Sequence, residues 1–194
     1  EVITKHFIDP LSIVRCLDPA DPLPAGTRGI DIGTGAGFPG LVLKIAYPGI
    51  RMTLFDSLQK RLRFLDEVIG ALGLTDVVTV HGRAEDCAHM PEHRETYDLA
   101  VSRAVANMST LSEFCLPFVR MEGCFAAYKS GDSEAEIASA AGALKKLGGT
   151  VEKTVSFELP GSGIGRSLVL VRKVRRTPAA YPRKAGTPAK EPLN

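Results

Sequence analysis

Residues 31–40 read Asp-Ile-Gly-Thr-Gly-Ala-Gly-Phe-Pro-Gly, and they connect a predicted strand, Gly29 to Ile32, to a segment with helical spacing. Three alternate glycines, Gly33, Gly35 and Gly37, let the backbone turn tightly and approach a ligand without an intervening Cβ atom. A strand, a glycine-rich turn and a helix in this order form the ligand-binding unit of doubly wound α/β domains. The stretch therefore predicts an α/β fold that binds a ligand at this turn.

The rest of the chain alternates apolar runs with segments of helical period, which predicts a mostly parallel sheet with crossover helices. Asp9-Pro10 resembles a helix start, and a further helix is predicted from Glu134 to Leu147. The last two strands are joined by a short connection rich in proline and glycine, which favours antiparallel pairing. The predicted strands are Gly29 to Ile32, Met52 to Phe55, Val77 to Val80, Leu99 to Ser102, Phe125 to Tyr128, Val151 to Phe157 and Ser167 to Val171.

The glycine-rich loop does not match the dinucleotide fingerprint G-x-G-x-x-G, because Phe38 stands at its sixth position. Asp31 lies beside the loop, where a carboxylate would repel a pyrophosphate but attract the sulfonium and ammonium groups of S-adenosylmethionine. This charge argues for S-adenosylmethionine and against a nicotinamide cofactor. The alternative is that the glycines serve only a tight strand-to-helix turn.

Two further acidic residues follow predicted strands. Asp56 ends the second strand, where doubly wound folds place an acid that accepts hydrogen bonds from ribose hydroxyls. It could equally help to cap the helix that begins near Ser57, whose own hydroxyl is a candidate cap. Glu85 follows Ala84 after the third strand and could accept a hydrogen bond from an adenine amino group. Simple exposure to solvent is the alternative for Glu85.

The charge of the chain is unevenly distributed. Residues 172–194 contain seven basic residues and one acidic residue, so that 17 basic and 21 acidic residues remain in the first 171. We predict one α/β domain over residues 1–173 and a basic, proline-rich C-terminal tail over residues 174–194. Its prolines favour an extended strip, and its charge suits a polyanionic partner such as RNA. A solvated, disordered tail without a partner is the alternative.

Several classes of protein are disfavoured by the composition. The four cysteines are irregularly spaced and form no C-x-x-C pair, which indicates reduced thiols and no zinc site. His89 and His93 lie near Cys87, but Pro91 interrupts helical spacing, so we expect no metal. No apolar run is long enough to cross a bilayer, and we expect a cytoplasmic, monomeric protein. Because the chain opens with Glu1 inside an amphipathic segment, we expect an N-terminal portion to be missing.

Four stretches of the sequence together closely resemble the RsmG (GidB) family: DIGTGAGFPG (31–40), LFDSLQKRLRFL (54–65), YDLAVSRAVA (97–106) and YPRKAGTPAKEPL (181–193). Its members are bacterial methyltransferases that modify N7 of one guanine in small-subunit (16S) ribosomal RNA. The family has N-terminal helices and an Asn-Leu-Thr motif ahead of the segment that Glu1 to Phe7 resembles, and this sequence does not contain them.

The resemblance implies a Rossmann-like class I methyltransferase fold, with a seven-stranded, mostly parallel sheet, one antiparallel strand and helices on both faces. The element order alone leaves the strand arrangement open, so this prediction depends on the resemblance. It also implies S-adenosylmethionine contacts through Gly33, Phe38, Ala84, Glu85 and Arg103. From the residues themselves, Gly35, Gly37 and Asp56 complete the predicted cofactor-binding set.

The chemistry of N7 methylation agrees with what the sequence lacks. Ser102-Arg103-Ala104 replaces the Asn/Asp-Pro-Pro-aromatic motif of many amine methyltransferases, and no cysteine has the proline neighbour usual for C5 methylation of pyrimidines. Guanine N7 has a free lone pair, so methyl transfer to it needs alignment and no general base. No catalytic residue is predicted with certainty, but Arg103 and Lys129 at strand ends are candidates for positioning.

Two other functions remain compatible with the sequence. The chain could be a class I methyltransferase that acts on a small molecule or a protein, since such acceptors can also react without a general base. It could also be an RNA-binding or assembly factor that keeps the fold without turnover.

Overall fold

The computed structural model describes residues 3–103 and 106–194 and contains a seven-stranded sheet. Each predicted strand is present, extended by one or more residues at one or both ends. The strands are β1 (Arg28–Ile32), β2 (Arg51–Asp56), β3 (Val77–His81), β4 (Tyr97–Arg103), β5 (Val119–Ser130), β6 (Gly149–Leu159) and β7 (Ile164–Lys173).

The strand order is β3-β2-β1-β4-β5-β7-β6. The pairs among β1 to β5 are parallel, whereas β7 runs antiparallel to both β5 and β6. Strand β7 is therefore one antiparallel strand inserted between two parallel ones, which confirms the predicted arrangement. The order turns at β1 and β4, whose neighbouring carboxyl ends open a crevice for a ligand.

Helices cover both faces of the sheet, as predicted. The helices are α1 (Asp9–Leu11), α2 (Gly40–Ala46), α3 (Gln59–Ala71), α4 (Ala84–Cys87), α5 (Met108–Cys115), α6 (Glu134–Ser139), α7 (Ala141–Leu147) and α8 (Thr187–Lys190). Two apolar cores result. Ile13, Leu43 and Leu65 belong to the core on one face, and Leu111 and Leu147 belong to the core on the other. The four cysteines are buried and free, as the sequence indicated.

Two helix predictions need correction. Asp9 and Pro10 begin α1, as predicted, but helical structure starts earlier, because a π-helical turn over Thr4–Ile8 runs directly into α1. Pro10 has no N–H group, so the turn before it departs from regular α-helical bonding. The single helix predicted from Glu134 to Leu147 is two helices that meet at Ala140, whose N–H group lies close to the carbonyls of both Glu136 and Ile137.

The C-terminal tail is not the extended, solvated strip that its prolines predicted. Residues 174–194 form turns and α8, and Leu193 is buried in the core beneath α5 and α7. Three of the seven basic residues in 172–194 form ion pairs: Arg172 and Lys173, at the end of β7, pair with Glu152 and Glu95, and Arg183, within the tail, pairs with Glu113. The physical reason is that acidic residues of the domain neutralise these charges, which composition alone does not reveal.

Candidate functional site

The glycine-rich loop lies at the carboxyl end of β1 and is held by β2. The N–H groups of Gly33 and Thr34 both donate to the Phe55 carbonyl, at 2.9 and 3.0 Å. Gly35 has a φ of +61°, and a Cβ atom there would have one neighbour within 4 Å, the Gly33 carbonyl oxygen at 4.0 Å. Gly37 has a φ of +94°, and a Cβ atom there would lie 2.9 Å from Leu65. Gly37 is therefore required for packing, whereas Gly35 leaves the loop open to a ligand.

Asp31 is buried beneath this loop with one carboxylate oxygen unused. Its Oδ2 atom accepts hydrogen bonds from the Thr34 hydroxyl at 2.7 Å and from the Gly40 N–H at 2.8 Å. Its Oδ1 atom has no hydrogen-bond partner in the described part of the chain. Burial raises the pKa of Asp31 to about 6, against the lowering effect of the Thr34 and Gly40 hydrogen bonds. A cationic ligand group at Oδ1 would relieve this cost, so the loop fits a sulfonium or ammonium group.

A pocket of about 320 Å³ opens between the carboxyl ends of β1, β2 and β4; we call it the central pocket. Four of the predicted cofactor residues line it. Its walls combine apolar side chains with several charged and polar groups that could fix the orientation of a ligand. The lining residues are Ile32, Gly33, Phe55, Asp56, Ser57, Arg61, Gly82, Arg83, Ala84, Glu85, Ser102, Leu111 and Phe114.

Asp56 connects the central pocket to both the loop and α3. Its Oδ2 atom accepts from the Gly35 N–H at 3.0 Å and from Arg61 at 3.3 Å, and its Oδ1 atom accepts from the Leu58 N–H at 2.9 Å. Helix α3 begins at Gln59 after Leu58 and has no side-chain cap hydrogen bond, so the capping roles considered for Asp56 and Ser57 are not found, and Asp56 instead holds the turn that precedes the helix. A carboxylate oxygen can accept more than one hydrogen bond, so a contact with a ribose remains compatible.

Glu85 is buried in the wall of the central pocket, so the solvent-exposed alternative is wrong. It lies in the first turn of α4 and is 8% exposed. Its Oε1 atom accepts a hydrogen bond of 2.9 Å from the N–H of Gly186, a residue of the C-terminal tail. No local pattern indicates this partner, because the two residues lie 101 positions apart.

A second pocket adjoins the first and is strongly basic; we call it the basic pocket. Successive residues at the end of β4 separate the two, because Ser102 lines the central pocket and Arg103 lines the basic one. Alternate side chains of a strand point to opposite sides, which explains this division. The residues that line the basic pocket are Lys5, His6, Asp9, Arg103, Tyr128, Lys129, Ser130 and Arg166.

Arg103 is partly buried and organises the basic pocket. Its guanidinium donates to the Lys5 carbonyl at 2.7 Å and lies 3.6 Å from the carboxylate of Asp9. It also lies over the ring of Phe38, 5.5 Å from the centroid. The His6 ring stacks on Phe38 with centroids 5.0 Å apart, and its Nδ1 atom lies 3.5 Å from the Arg103 guanidinium. Phe38 therefore joins the glycine-rich loop to the basic pocket.

Lys129 is largely committed to neighbouring groups. Its ammonium group donates to the Ala106 carbonyl at 2.9 Å and pairs with Glu136 at 2.7 Å. It thereby holds the segment after β4 against α6. A role for Lys129 in positioning the substrate stays a prediction, because the contacts observed are with the protein's own loop and α6.

Sequence reasoning missed Asp9, the most unusual residue of the basic pocket. Asp9 is 1% exposed, and its Oδ2 atom lies 3.1 Å from Arg166 as well as near Arg103. Its Oδ1 atom has no partner among the described residues. The sequence pattern that could have indicated Asp9 is an acidic residue within the mostly apolar segment from Phe7 to Val14.

The histidines considered for a metal have other contacts. His89 lies 2.8 Å from the Pro182 carbonyl, and His93 lies 2.8 Å from the hydroxyl of Tyr97. Within residues 3–103 and 106–194, no group of three His, Cys, Asp or Glu side chains is arranged to hold a metal ion. The same part of the chain contains no helix long and apolar enough to cross a membrane.

Comparison with known proteins identifies the family. The family model for GidB, described as rRNA small subunit methyltransferase G, matches residues 1–165. The chain belongs to this family. The ribosomal RNA small subunit methyltransferase G of Desulforamulus reducens is 48% identical over 193 residues, which cover all of this chain and 79% of that protein. The protein of that name from Acetivibrio thermocellus is also 48% identical, with 77% of its length covered.

Solved structures confirm the fold class. TrmN from Thermus thermophilus is similar with a TM-score of 0.62 at 19% identity, over 85% of this chain and 48% of that one. TYW2 from M. jannaschii, solved in complex with AdoMet, gives a TM-score of 0.64 at 14% identity, over 79% of this chain and 71% of that one. At such identities the likeness concerns the fold alone. The resemblance to the rRNA small subunit methyltransferase G family and the class I methyltransferase fold are both confirmed.

The raised pKa of Asp31 gives a first prediction about cofactor binding. A cation at Oδ1 favours the charged carboxylate, so binding releases a proton whenever the free protein holds one. Affinity for S-adenosylmethionine should therefore rise as the pH rises through about 6. We expect the affinity measured by calorimetry to be roughly tenfold weaker one pH unit below this pKa than one pH unit above it.

The control is Asp31→Asn, which keeps the shape and an acceptor for Thr34 and Gly40. This variant should bind more weakly at neutral pH, and its affinity should not change with pH over the same interval. A wild-type affinity that is flat between pH 5 and 7 would contradict the placement of a cation at Asp31.

Proposed function

We propose that the chain transfers a methyl group from S-adenosylmethionine to N7 of a guanine in bacterial 16S ribosomal RNA. The observation that carries the proposal is the match to rRNA small subunit methyltransferase G along the whole chain, in a fold whose central and basic pockets adjoin at β4. The substrate would be ribosomal RNA or the small subunit, in the cytoplasm. The monomeric state predicted from the sequence stays a prediction.

The central pocket suits the cofactor. Asp56 would accept hydrogen bonds from the ribose, Glu85 would accept one from the adenine amino group, and the unpartnered oxygen of Asp31 would face the cationic end. The apolar side chains of Phe55, Leu111 and others would exclude water from the adenine. When bound, S-adenosylmethionine supplies a methyl group on a positively charged sulfur.

The basic pocket suits a segment of RNA. Arg103 and Arg166 converge on it with Lys5 and His6, while buried Asp9 keeps the two arginines in place. Arginine and lysine side chains bind phosphate oxygens and guanine edges, which gives both affinity and orientation. Phe38 lies at the boundary between the pockets, where a flat ring can pack against a base.

The reaction needs alignment more than acid-base catalysis. The N7 lone pair of guanine forms the new bond to carbon as the bond from carbon to sulfur breaks, and the positive charge passes to the guanine ring. No proton is removed, which agrees with the absence of a predicted general base. The protein's contribution is to hold the two reactants in line in a site sheltered from water.

A direct test uses purified protein, labelled S-adenosylmethionine and small subunits from a strain that lacks this gene. We expect label in 16S RNA as N7-methylguanine, identified by mass spectrometry of nucleosides, and loss of that modification in the deletion strain. Label in a protein or a small molecule only would favour the alternative acceptors. Cofactor binding with no transfer to any ribosomal substrate, or no cofactor binding, would favour an assembly factor.

A second prediction concerns Arg103. The change Arg103→Met removes one of the cations of the basic pocket while keeping much of the side-chain volume. We expect kcat/KM for ribosomal RNA to fall by about a hundredfold, because a charge-assisted contact to the substrate is lost in a sheltered site.

The matched control is Arg120→Met. Arg120 pairs with Asp98 near the amino end of β4, whereas Arg103 lies at the carboxyl end of the same strand. This variant should keep wild-type activity within about twofold, because exposed ion pairs contribute little. Equal losses in both variants would show that Arg103 acts through stability alone.

A further inference from the structure

The C-terminal segment from Thr177 to Asn194, which we call the strap, is attached to the domain by specific polar contacts. The strongest is between Arg183 and Glu113 in α5. Two guanidinium nitrogens and the backbone N–H of Arg183 all donate to the Glu113 carboxylate, at distances between 2.7 and 3.2 Å. Glu113 is fully buried, so this carboxylate is held almost entirely by the strap.

Additional contacts hold the strap along its length. Arg94 donates to the carbonyls of Thr177, Pro178 and Tyr181, and the Thr110 hydroxyl donates to the Pro188 carbonyl at 2.8 Å. These anchors lie on both sides of one short turn. The turn is therefore fixed relative to α4 and α5, which form one wall of the central pocket.

Gly186 lies in this turn and reaches the pocket wall. Its φ of +83° is a conformation that glycine adopts readily and other residues rarely do. In this conformation its N–H group donates to Oε1 of Glu85 at 2.9 Å. The hydrogen bond leaves the second oxygen, Oε2, without a hydrogen bond from the described residues. Glu85 thus has one oxygen held by the strap and one available in the pocket.

We propose that the strap is a positioning element for the cofactor, in which Gly186 fixes the Glu85 carboxylate for the adenine amino group. The inference rests on the proposed function, because it assumes that the central pocket binds the adenosine part of S-adenosylmethionine. Without the Gly186 hydrogen bond, the Glu85 side chain gains rotational freedom, and that freedom is lost again on binding. Because the strap already restricts the Glu85 side chain before the cofactor binds, less entropy is lost on binding and the affinity for the cofactor increases.

The effect of the strap on affinity should depend on one group of the ligand, the adenine amino group. The adenine amino group donates to a carboxylate, whereas the carbonyl oxygen that replaces it in an inosyl analogue cannot. Loss of the Gly186 hydrogen bond should therefore weaken adenosyl ligands and leave inosyl ligands unchanged. A general loosening of the domain would weaken both.

The experiment compares S-adenosylhomocysteine with S-inosylhomocysteine by calorimetry on the full chain. The test variant is Gly186→Pro, which removes the N–H group and forbids the positive φ. Its matched control is Gly161→Pro in the turn between β6 and β7, where φ is +66° and a Cβ atom also meets nothing within 4 Å. A second test variant, the pair Arg183→Gln with Glu113→Gln, loosens the strap without leaving a buried charge unpaired.

We expect Gly186→Pro to weaken S-adenosylhomocysteine binding roughly tenfold, the effect of one hydrogen bond to a charged group. Binding of S-inosylhomocysteine should change less than about twofold, and Gly161→Pro should affect neither ligand. The paired glutamine variant should show the same selectivity with a smaller loss. In a Glu85→Ala background, Gly186→Pro should have no further effect, because the two residues act as one unit.

Two results would overturn the inference: equal losses for both ligands, or unchanged binding of S-adenosylhomocysteine in both strap variants. Failure of the wild-type chain to bind S-adenosylhomocysteine would instead reject the proposed function. The wild-type measurement therefore distinguishes the two failures. If Gly186→Pro is too unstable to purify, the paired glutamine variant decides the question alone.

Discussion

Replacing Gly35 by valine is expected to weaken S-adenosylmethionine binding by at least about a hundredfold. Gly35 has a φ of +61°, which a β-branched residue adopts only at a cost of about 1 to 3 kcal/mol. The loop can relieve this strain only by changing its conformation. The hydrogen bond from the N–H group of residue 35 to Oδ2 of Asp56 would then break. The new side chain also enters the open space above the loop. Calorimetry with S-adenosylmethionine measures the combined loss.

The matched control for this prediction is Gly163→Val. Gly163 has a φ of +65° and open space around its Cβ position, but it lies in the turn between β6 and β7. The backbone strain is therefore similar, and the distance from the glycine-rich loop removes any direct effect on the ligand. Both variants should lose comparable stability in urea, and only Gly35→Val should lose affinity. Full affinity in Gly35→Val would show that this loop does not contact the cofactor.

The second large effect concerns the stability of the fold. Replacing Arg183 by methionine should lower the free energy of unfolding by about 3 kcal/mol or more, because the Glu113 carboxylate is left buried without its cation. For a chain of this length, such a loss corresponds to a decrease in Tm of about 6 to 12 °C. Thermal and urea denaturation, followed by circular dichroism, would measure it.

Two controls test whether the buried charge of Glu113 causes this loss of stability. Arg172→Met removes an arginine of the same C-terminal region that pairs with Glu152, but both partners are about one-third or more exposed, and the loss should stay below about 1 kcal/mol. Adding Glu113→Gln to Arg183→Met removes the stranded charge and should restore much of the lost stability. If Arg183→Met is as stable as Arg172→Met, the strap does not stabilise the domain.

The elements of the fold could be predicted because they depend on local patterns. The strand predicted from Gly29 to Ile32 is present as β1, and the short turn rich in proline and glycine correctly predicted that β7 is antiparallel to β6. The spacing of apolar residues and the presence of turn residues depend only on residues close together in the chain. They therefore identify strands and hairpins. They do not specify the order of the strands, which came from the family resemblance.

The polar contacts of the site could not be predicted in the same way. Asp9 and Arg166 are 157 positions apart, and Glu85 and Gly186 are 101 positions apart. Nothing in the local sequence distinguishes a charged residue that will be buried beside a distant partner from one that will be solvated. The same limit explains why the tail was predicted to be an extended basic strip.

The sequence by itself determined the α/β class, the position of the glycine-rich loop, and the acidic residues that follow the strands, because each is encoded by residues adjacent in the chain. Only the tertiary structure decided that Glu85 is held by the strap, that Asp9 is buried between two arginines, and that Arg183 neutralises Glu113. The reason is that the free energy of a buried charge depends on which distant groups surround it, and those groups meet only when the chain has folded.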